Sequence, residues 1–364
     1  MKLTINNKLL LEVLNQIGKF RGKDILQNVQ FSTNGKEFVF HVTDDEITYI
    51  RRLPYQIGEE VIGTVEEDGI IMLPTKFDEI VRKLDKKDIS LELTGQTLLV
   101  KQGTTVAKVN VSTGDFPPMP VGERSGGLEL SKELFAIMVN QTGFAASDKD
   151  TRPILKAIHM ESVEEGFKII ATDSRRLSQR VSDIKNDLPT LNIPAKKLSQ
   201  VIDTLEDNIT LNLIPFGNHI ILETPNSDIY LRQLEGTYPD VSKLMTITGK
   251  TKVKVNSKDL LSEINRAMTF VKDDNNLSIT FELLENKLKV YSSGDEGSLE
   301  GYISADIEGE HFKFSVNSNY TVQAIKSFQQ ETVTFYICDP KRPIFILSES
   351  EPTLTQMILP VLMH

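Results

Sequence analysis

The same order of apolar patterns runs three times along this 364-residue chain. The first run opens Asn7-Lys8-Leu9-Leu10-Leu11-Glu12-Val13-Leu14 and the second Ser131-Lys132-Glu133-Leu134-Phe135-Ala136-Ile137-Met138. The third opens Ser257-Lys258-Asp259-Leu260-Leu261-Ser262-Glu263-Ile264. Each places an Asn or Ser in N-cap position ahead of apolar residues at helical spacing. The copies begin at 7, 131 and 257, so they are 124 and then 126 residues apart. After each helix pattern come alternating apolar positions broken by a tight turn, over 25–40, 154–171 and 277–291, with Asn34-Gly35 and Glu165-Gly166 as turn signals. A second helix is expected over 75–84, 195–205 and 319–328. The first two follow Leu73-Pro74 and Ile193-Pro194, where proline suits a helix start. Matching strands then follow at 89–93, 209–213 and 333–337, paired with 98–100, 220–222 and 344–346.

Each copy reads helix, strands, helix, strands, so the fold class is α+β with antiparallel sheet and three similar domains. The boundaries fall in polar, glycine-containing stretches, Glu123-Arg124-Ser125-Gly126-Gly127 and Thr248-Gly249-Lys250, giving domains 1–124, 125–248 and 249–364. Solenoid repeats run only about 20–50 residues, so these copies are whole domains. Three similar domains in a line expose unlike ends. If the angle per domain is right, two chains meet head to tail in a six-domain ring that satisfies every end. The alternative is an open three-domain interaction scaffold with each terminal sheet edge blunted. Pattern alone does not choose between them.

Charge adds a second consideration. The net charge of −10 argues against coating nucleic acid by bulk attraction. A local basic face remains compatible with it. On a helix over 75–84 and its extension, Lys76, Lys83 and Lys87 fall at i, i+7 and i+11, within about 40° on a helical wheel. Phe77, Ile80, Val81 and Leu84 lie alongside, and Asp78, Glu79 and Asp85 dilute the face. Lys196 and Lys197 take the matching place ahead of Leu198, Val201 and Ile202. For one helix a solvated surface explains such lysines. Recurrence in successive copies favours a face that holds phosphates without reading sequence.

The remaining chemistry is sparse. Cys338 is the only cysteine, which excludes a disulfide framework, fits a reducing cytoplasm and reads as a half-buried structural thiol. The first residues lack a signal-peptide core, and no apolar run approaches the roughly 20 residues that span a bilayer. A soluble cytoplasmic protein without membrane partners is expected. His41, His159, His219, His311 and His364 are scattered without metal-ligand spacing. There is no phosphate-binding glycine loop and no nucleophile elbow. Asp173-Ser174 could belong to a hydrolase site, but Asp44 recurs at the matching place in Thr43-Asp44-Asp45, as a structural turn would. Gly294-Asp295-Glu296-Gly297 lacks the ligand order of a Ca²⁺ loop and reads as a hairpin tip. No catalytic residue, metal or cofactor is expected.

Four segments carry a resemblance. They are Arg152-Pro153-Ile154-Leu155, Ala171-Thr172-Asp173-Ser174-Arg175-Arg176-Leu177-Ser178, Arg232-Gln233-Leu234-Glu235-Gly236-Thr237-Tyr238-Pro239-Asp240, and Thr355-Gln356-Met357-Ile358-Leu359-Pro360-Val361. Together they make the chain resemble, end to end, the bacterial beta clamp family, the beta subunits of DNA polymerase III. The resemblance implies a homodimeric ring around double-stranded DNA, loaded by an ATP-driven clamp loader and tethering the polymerase's alpha subunit. It further implies a groove between the second and third domains for short partner peptides rich in Gln, Leu and Phe. By motif that groove uses Leu155, Thr172, Arg175, Arg176, Leu177, Pro239 and Leu244, with Met357, Ile358, Leu359 and Pro360 from the tail and Arg152 beside it. Leu155, Leu177, Leu244 and Leu359 would form apolar subsites, and Thr172 would fix the peptide main chain. The DNA-facing candidates are Arg21, Lys23, Lys76, Lys83, Lys149, Lys196 and Lys197. The subunit interface would join the strand 106–111, through Val106 and Val109, to the region 268–271, through Met268 and an apolar anchor at Phe270. Arg175, Val241 and Leu362 stand where family members commonly carry His, an aromatic and a basic residue. These departures bear on partner preference more than on fold.

Overall fold

Capping places the start of the first and third copies. Asn6 Oδ1 accepts from Leu9 N at 3.2 Å and starts α1, Asn7–Ile17. Asn256 Oδ1 accepts from Lys258 N and Asp259 N and starts α5, Ser257–Ala267. The cap therefore lies one residue before the expected Asn7 and Ser257. Those two residues are instead buried at the first helical position. In the second copy α3, Lys132–Thr142, begins directly after Ser131. The second helices are α2, Thr75–Val81, α4, Ala195–Ile202, and α6, Ser318–Phe328. Pro74 and Pro194 stand as N-caps of α2 and α4, and Asn317 caps α6 by accepting from Tyr320 N.

The helix expected over 75–84 ends early. Asn7 Nδ2 donates to Val81 O and to Asp85 O, both at 2.9 Å, and ties off the carbonyls that a longer helix would use internally. Lys83 and Lys87 therefore lie beyond α2, and the three-lysine stripe is not a helix face.

The computed structural model describes residues 1–112, 114–124, 126–149, 151–247, 249–271 and 277–361. The expected boundary residues Ser125 and Thr248, together with Leu362 and His364, lie outside the described residues. Contacts divide the chain into two compact units, which run across the sequence copies.

The first unit comprises Met1–Lys132 and Thr204–Gln233. Its five-stranded antiparallel sheet runs Thr105–Asn110, Thr97–Gln102, Asp88–Thr94, Lys2–Asn6, Gly63–Glu67. Its eight-stranded sheet takes Leu128–Ser131, Thr210–Phe216, His219–Thr224 and Ser227–Arg232 from the second copy. It continues through Ile47–Pro54, Glu37–Thr43, Val29–Thr33 and Ile70–Leu73 of the first. Alternation along these strands sends Phe31, Phe38 and Phe40 inward, all fully buried, with the Phe31 and Phe40 ring centroids 4.8 Å apart.

The second unit comprises Glu133–Asp203 and Leu234–His364. Its twelve-stranded sheet passes from the second copy to the third where Arg176–Ser182 pairs with Leu354–Ile358. Leu260 and Ile264 of α5 and Ile325 and Phe328 of α6 pack with Phe281, Phe314 and Phe335 from the strands into one core. Full burial of each such side chain stabilises the fold by about 1.5–3 kcal/mol before entropy is counted.

Candidate functional site

The segment Thr172–Arg176 is a turn held by its own side chains. Asp173 Oδ1 accepts from Arg175 N at 2.8 Å and from Arg176 N at 3.0 Å, while Ser174 takes a φ of +73°. Thr172 Oγ1 donates to Arg176 O at 2.5 Å and accepts from Ser174 N at 3.1 Å. The first copy repeats the construction, with Asp44 Oδ1 accepting from Glu46 N and Ile47 N, Thr43 Oγ1 donating to Ile47 O, and Asp45 at φ +74°. Asp173 is thus a turn former and not half of a hydrolase site. The Thr172 hydroxyl commits its one proton to Arg176 O within the turn, so it has none to donate to a peptide main chain.

Arg176 is likewise committed. Its Nε donates to Asp173 Oδ2 at 3.1 Å, Nη2 to Phe144 O at 2.5 Å, and Nη1 to Gln323 Oε1. The guanidinium lies 4.3 Å from the Tyr320 ring centroid and 5.4 Å from that of Phe144. Burial pushes it below its ordinary value, with Asp173 opposing. It braces the site from beneath.

Beside this turn, Ala157, Ile170, Leu177, Tyr238, Val241, Phe345 and Met357 form an apolar cluster of the second unit, flanked by Ile154, Leu234, Met245 and Tyr336. Leu177 and Met357 face each other in the strand ladder. Ile358, one residue on, points to the other face and packs in the α5–α6 core, which removes it from the groove. Leu155 is buried and lines an adjoining cleft of about 340 Å³ with Arg152, Arg175 and Tyr320. The rim is more open. Leu244 is 48% exposed and Leu359 37%, Pro239 is exposed, and Pro360 is half-buried. Leu359 N donates to Arg175 O at 2.8 Å, which carries the tail along the turn.

Motif reading missed Ala157, Ile170, Tyr238, Val241 and Phe345 as cluster members. Ile170 was accessible to it, since it lies two residues before Thr172 on the same strand face. Tyr238 stacks on His159 with centroids 4.5 Å apart and planes 9° apart, and burial pushes its phenol well up.

The basic candidates divide by burial. The Arg21 side chain is only 8% exposed and pairs with Asp78 Oδ2 at 2.8 Å, so it is a buried partner and not an exposed phosphate ligand. Burial pushes the Asp78 carboxyl up, with Arg21 opposing. Lys23, Lys83 and Lys149 are exposed, and Lys197 is half-buried. Lys76 pairs with Glu79 at 2.6 Å and Lys196 with Asp148 at 2.7 Å, both on exposed surface where such pairs are weak.

Thr105–Asn110 forms the outer edge of its sheet, with Val106 53% exposed. Val109 is buried in its own unit and is not a surface residue. Met268 packs against the α5–α6 core, while Phe270 stays half-buried, its ring meeting Gly297 at the start of strand Gly297–Glu308.

No helix of the described residues is long and apolar enough to cross a membrane. Three family models match in series: the N-terminal domain of the DNA polymerase III beta subunit over residues 1–120, its central domain over 129–240, and its C-terminal domain over 244–362. The chain is 27% identical over 377 aligned positions to the beta sliding clamp of Bacillus subtilis, covering 99% of each. It is 26% identical to that of Staphylococcus aureus, covering 93% of this chain and 92% of the relative. The crystal structure of the DNA polymerase sliding clamp from Bacillus subtilis superposes with a TM-score of 0.94 over all of both chains at 27% identity. A putative DNA polymerase III beta subunit from Eubacterium rectale does so at 0.91 and 26%. The chain belongs to the DNA polymerase III beta subunit family, the bacterial beta sliding clamps.

Proposed function

We propose that two copies of this chain close head to tail into a six-domain ring around duplex DNA, with 1–124, 125–248 and 249–364 as the domains. The family is that of a non-catalytic processivity subunit, and ring closure is the part that this chain's own strands support. The observation that carries it is a repeated joint. Ile47–Pro54 pairs with Ser227–Arg232, setting Ile47 opposite Leu231 and Arg51 opposite Ser227. Arg176–Ser182 pairs with Leu354–Ile358, setting Arg176 opposite Ile358 and Arg180 opposite Leu354. In both, the third strand after a copy's first helix receives the last strand of the next copy.

By that rule two strands are left over. One is Gly297–Glu308, the third strand of the third copy, and the other is Thr105–Asn110, the last strand of the first. Thr105–Asn110 ends its sheet. Gly297–Glu308 pairs with Lys287–Gly294 along residues 297–304, but with Thr251–Asn256 only along 305–308, so its earlier part has an open side among the described residues. In one chain these are exposed edges of the kind that proteins avoid. Between two chains they satisfy each other with two-fold closure. Val106, Tyr302 and Phe270 supply apolar surface to such a joint.

With a net charge of −10, the grip is topological, and exposed lysines such as Lys23, Lys83, Lys149 and Lys196 supply only weak, salt-sensitive contact with phosphates. The apolar cluster around Leu177 and Met357, rimmed by Leu244 and Leu359, receives short peptides from the polymerase alpha subunit, the clamp loader and other cytoplasmic partners.

The test is topological. After loading onto nicked circular DNA, the protein stays bound through a high-salt wash and is lost once the circle is linearised. Equal retention on both forms overturns the ring, and salt-labile loss from both favours an open scaffold.

A further inference from the structure

Both inter-copy joints carry the same polar plan, half-exposed at the first, where the Glu206 side chain is 54% exposed, and buried at the second. In the first unit Gln16, near the end of α1, donates from Nε2 to Thr204 O at 2.9 Å, just past α4, and Arg51 Nη2 pairs with Glu206 Oε1 at 2.8 Å. In the second unit Gln141, near the end of α3, donates from Nε2 to Ser327 O at 2.9 Å, near the end of α6, and Arg180 Nη1 pairs with Glu351 Oε1. Arg51 and Arg180 hold equivalent places in their ladders, and each leaves its Nε without a partner. The second joint adds to the plan. Gln141 Nε2 also reaches Glu351 Oε1 at 2.8 Å, and Gln141 Oε1 accepts from Arg180 Nη1. Gln141 O accepts from Ser178 Oγ at 2.7 Å and from Gln356 Nε2 at 3.1 Å. Gln356 Nε2 also donates to Ser327 Oγ at 2.9 Å.

These bonds converge on a strand whose apolar pattern fixes its register poorly. Leu354–Ile358 is buried at every position. Leu354 and Ile358 pack in the α5–α6 core with Gln356 between them on the same face, while Met357 packs in the groove cluster on the other. A slip of one residue exchanges the faces. Exchanging Met357 with Ile358 is nearly volume-conserving and is poorly resisted by packing. Gln356 resists it, because on the groove face its amide would give up both Gln141 O and Ser327 Oγ, and a buried amide without partners is costly. Fixing register is the best-attested use of buried polar groups.

We propose that Gln141, Arg180, Glu351 and Gln356 form a register lock that places Met357 and Leu359 at the partner groove. They are positioning residues for peptide binding, and the inference rests on the groove reading above. The test uses the full-length chain, a fluorescent peptide bearing Gln, Leu and Phe, and amide exchange over 355–359. Gln356→Met keeps volume and adds apolar burial, so its thermal midpoint holds while exchange at Met357 and Leu359 accelerates and the peptide Kd rises at least fivefold. Arg180→Met also accelerates exchange and raises the Kd, with a lowered midpoint because Glu351 loses its ion pair, and Arg180→Lys restores most of the affinity. Arg51→Met, which opens the equivalent device at the other joint, leaves the peptide Kd within twofold. Unchanged exchange in both Gln356→Met and Arg180→Met overturns the lock, as does an equal affinity loss in Arg51→Met. Faster exchange in a protein whose wild type ignores the peptide keeps the lock and overturns the groove reading.

Discussion

Replacing Leu244 by alanine separates the groove's contact surface from its foundation. Most of the apolar cluster is already buried in the free protein, with Leu177 at 1% exposure, Met357 at 3% and Tyr238 at 7%. A ligand gains little by covering those further. Leu244, in the turn Ser242–Leu244, is 48% exposed. Complete burial of a leucine is worth about 1.5–3 kcal/mol, so covering its exposed half contributes roughly 0.7–1.5 kcal/mol. At 1.4 kcal/mol per tenfold, Leu244→Ala weakens peptide binding about 3- to 12-fold. Its thermal midpoint stays at the wild-type value, because an exposed side chain leaves no cavity. Leu177→Ala instead costs about 2–5 kcal/mol of stability, with affinity falling as a consequence of disrupted packing. Fluorescence anisotropy with a labelled peptide, paired with thermal melts, reads both quantities. Because the contact is apolar, the Leu244→Ala effect is the same at 50 mM and 500 mM salt, conditions chosen to span strong screening. Wild-type affinity in Leu244→Ala would place the ligand away from this rim and refute the argument.

Three further outcomes follow from other parts of the molecule. Val106→Glu puts a charge on the open edge strand Thr105–Asn110 and raises the dimer dissociation constant at least roughly tenfold, read by sedimentation; an unchanged mass distribution excludes this edge from the interface. Lys149→Ala lowers the slope of log affinity against log salt on short linear duplex by about one, since one phosphate contact is lost, whereas Arg21→Ala leaves the slope unchanged and lowers stability, because Arg21 is buried against Asp78. Burial holds His41 down to about 4, its Nε2 having no partner. Well above pH 6.5 the imidazole is neutral in both folded and unfolded chains; as pH falls through 6.5 toward 4 the unfolded chain takes up the proton first, so stability is lost. At pH 4.5 the loss is about 2.5 kcal/mol relative to neutral pH, and urea melts of His41→Gln lack that share of the acid sensitivity.

What was legible in the sequence follows from where each constraint is encoded. Helices, strands and their threefold order came through because periods of 3.6 and 2 are local, and so are turn formers such as Thr172-Asp173. The end of α2 was not legible, because Asn7 ends it from across the fold, 74 residues from Val81 and 78 from Asp85. Arg21 looked like a free cation for the same reason, since its partner Asp78 is 57 residues away. For the groove proposed above, the sequence offers candidate residues but not their geometry. Thr172 and Arg176 are quoted by the motif for holding the turn, and Ile358 for filling the neighbouring core. Deciding between Met357 and Ile358 requires the register of one strand. That register depends on polar side chains contributed by α3, by the strand Arg176–Ser182 and by the loop before the tail. None of these is near the tail in sequence except Glu351. The compact units cross the repeats for a related reason: five consecutive residue pairs join Ile47–Pro54 to Ser227–Arg232, and five join Arg176–Ser182 to Leu354–Ile358. A sequence repeat marks what was copied. Which copies share a sheet is decided by open edges, and the two strands that the joint rule leaves over, Thr105–Asn110 and the earlier part of Gly297–Glu308, are therefore this chain's most informative surface among the described residues.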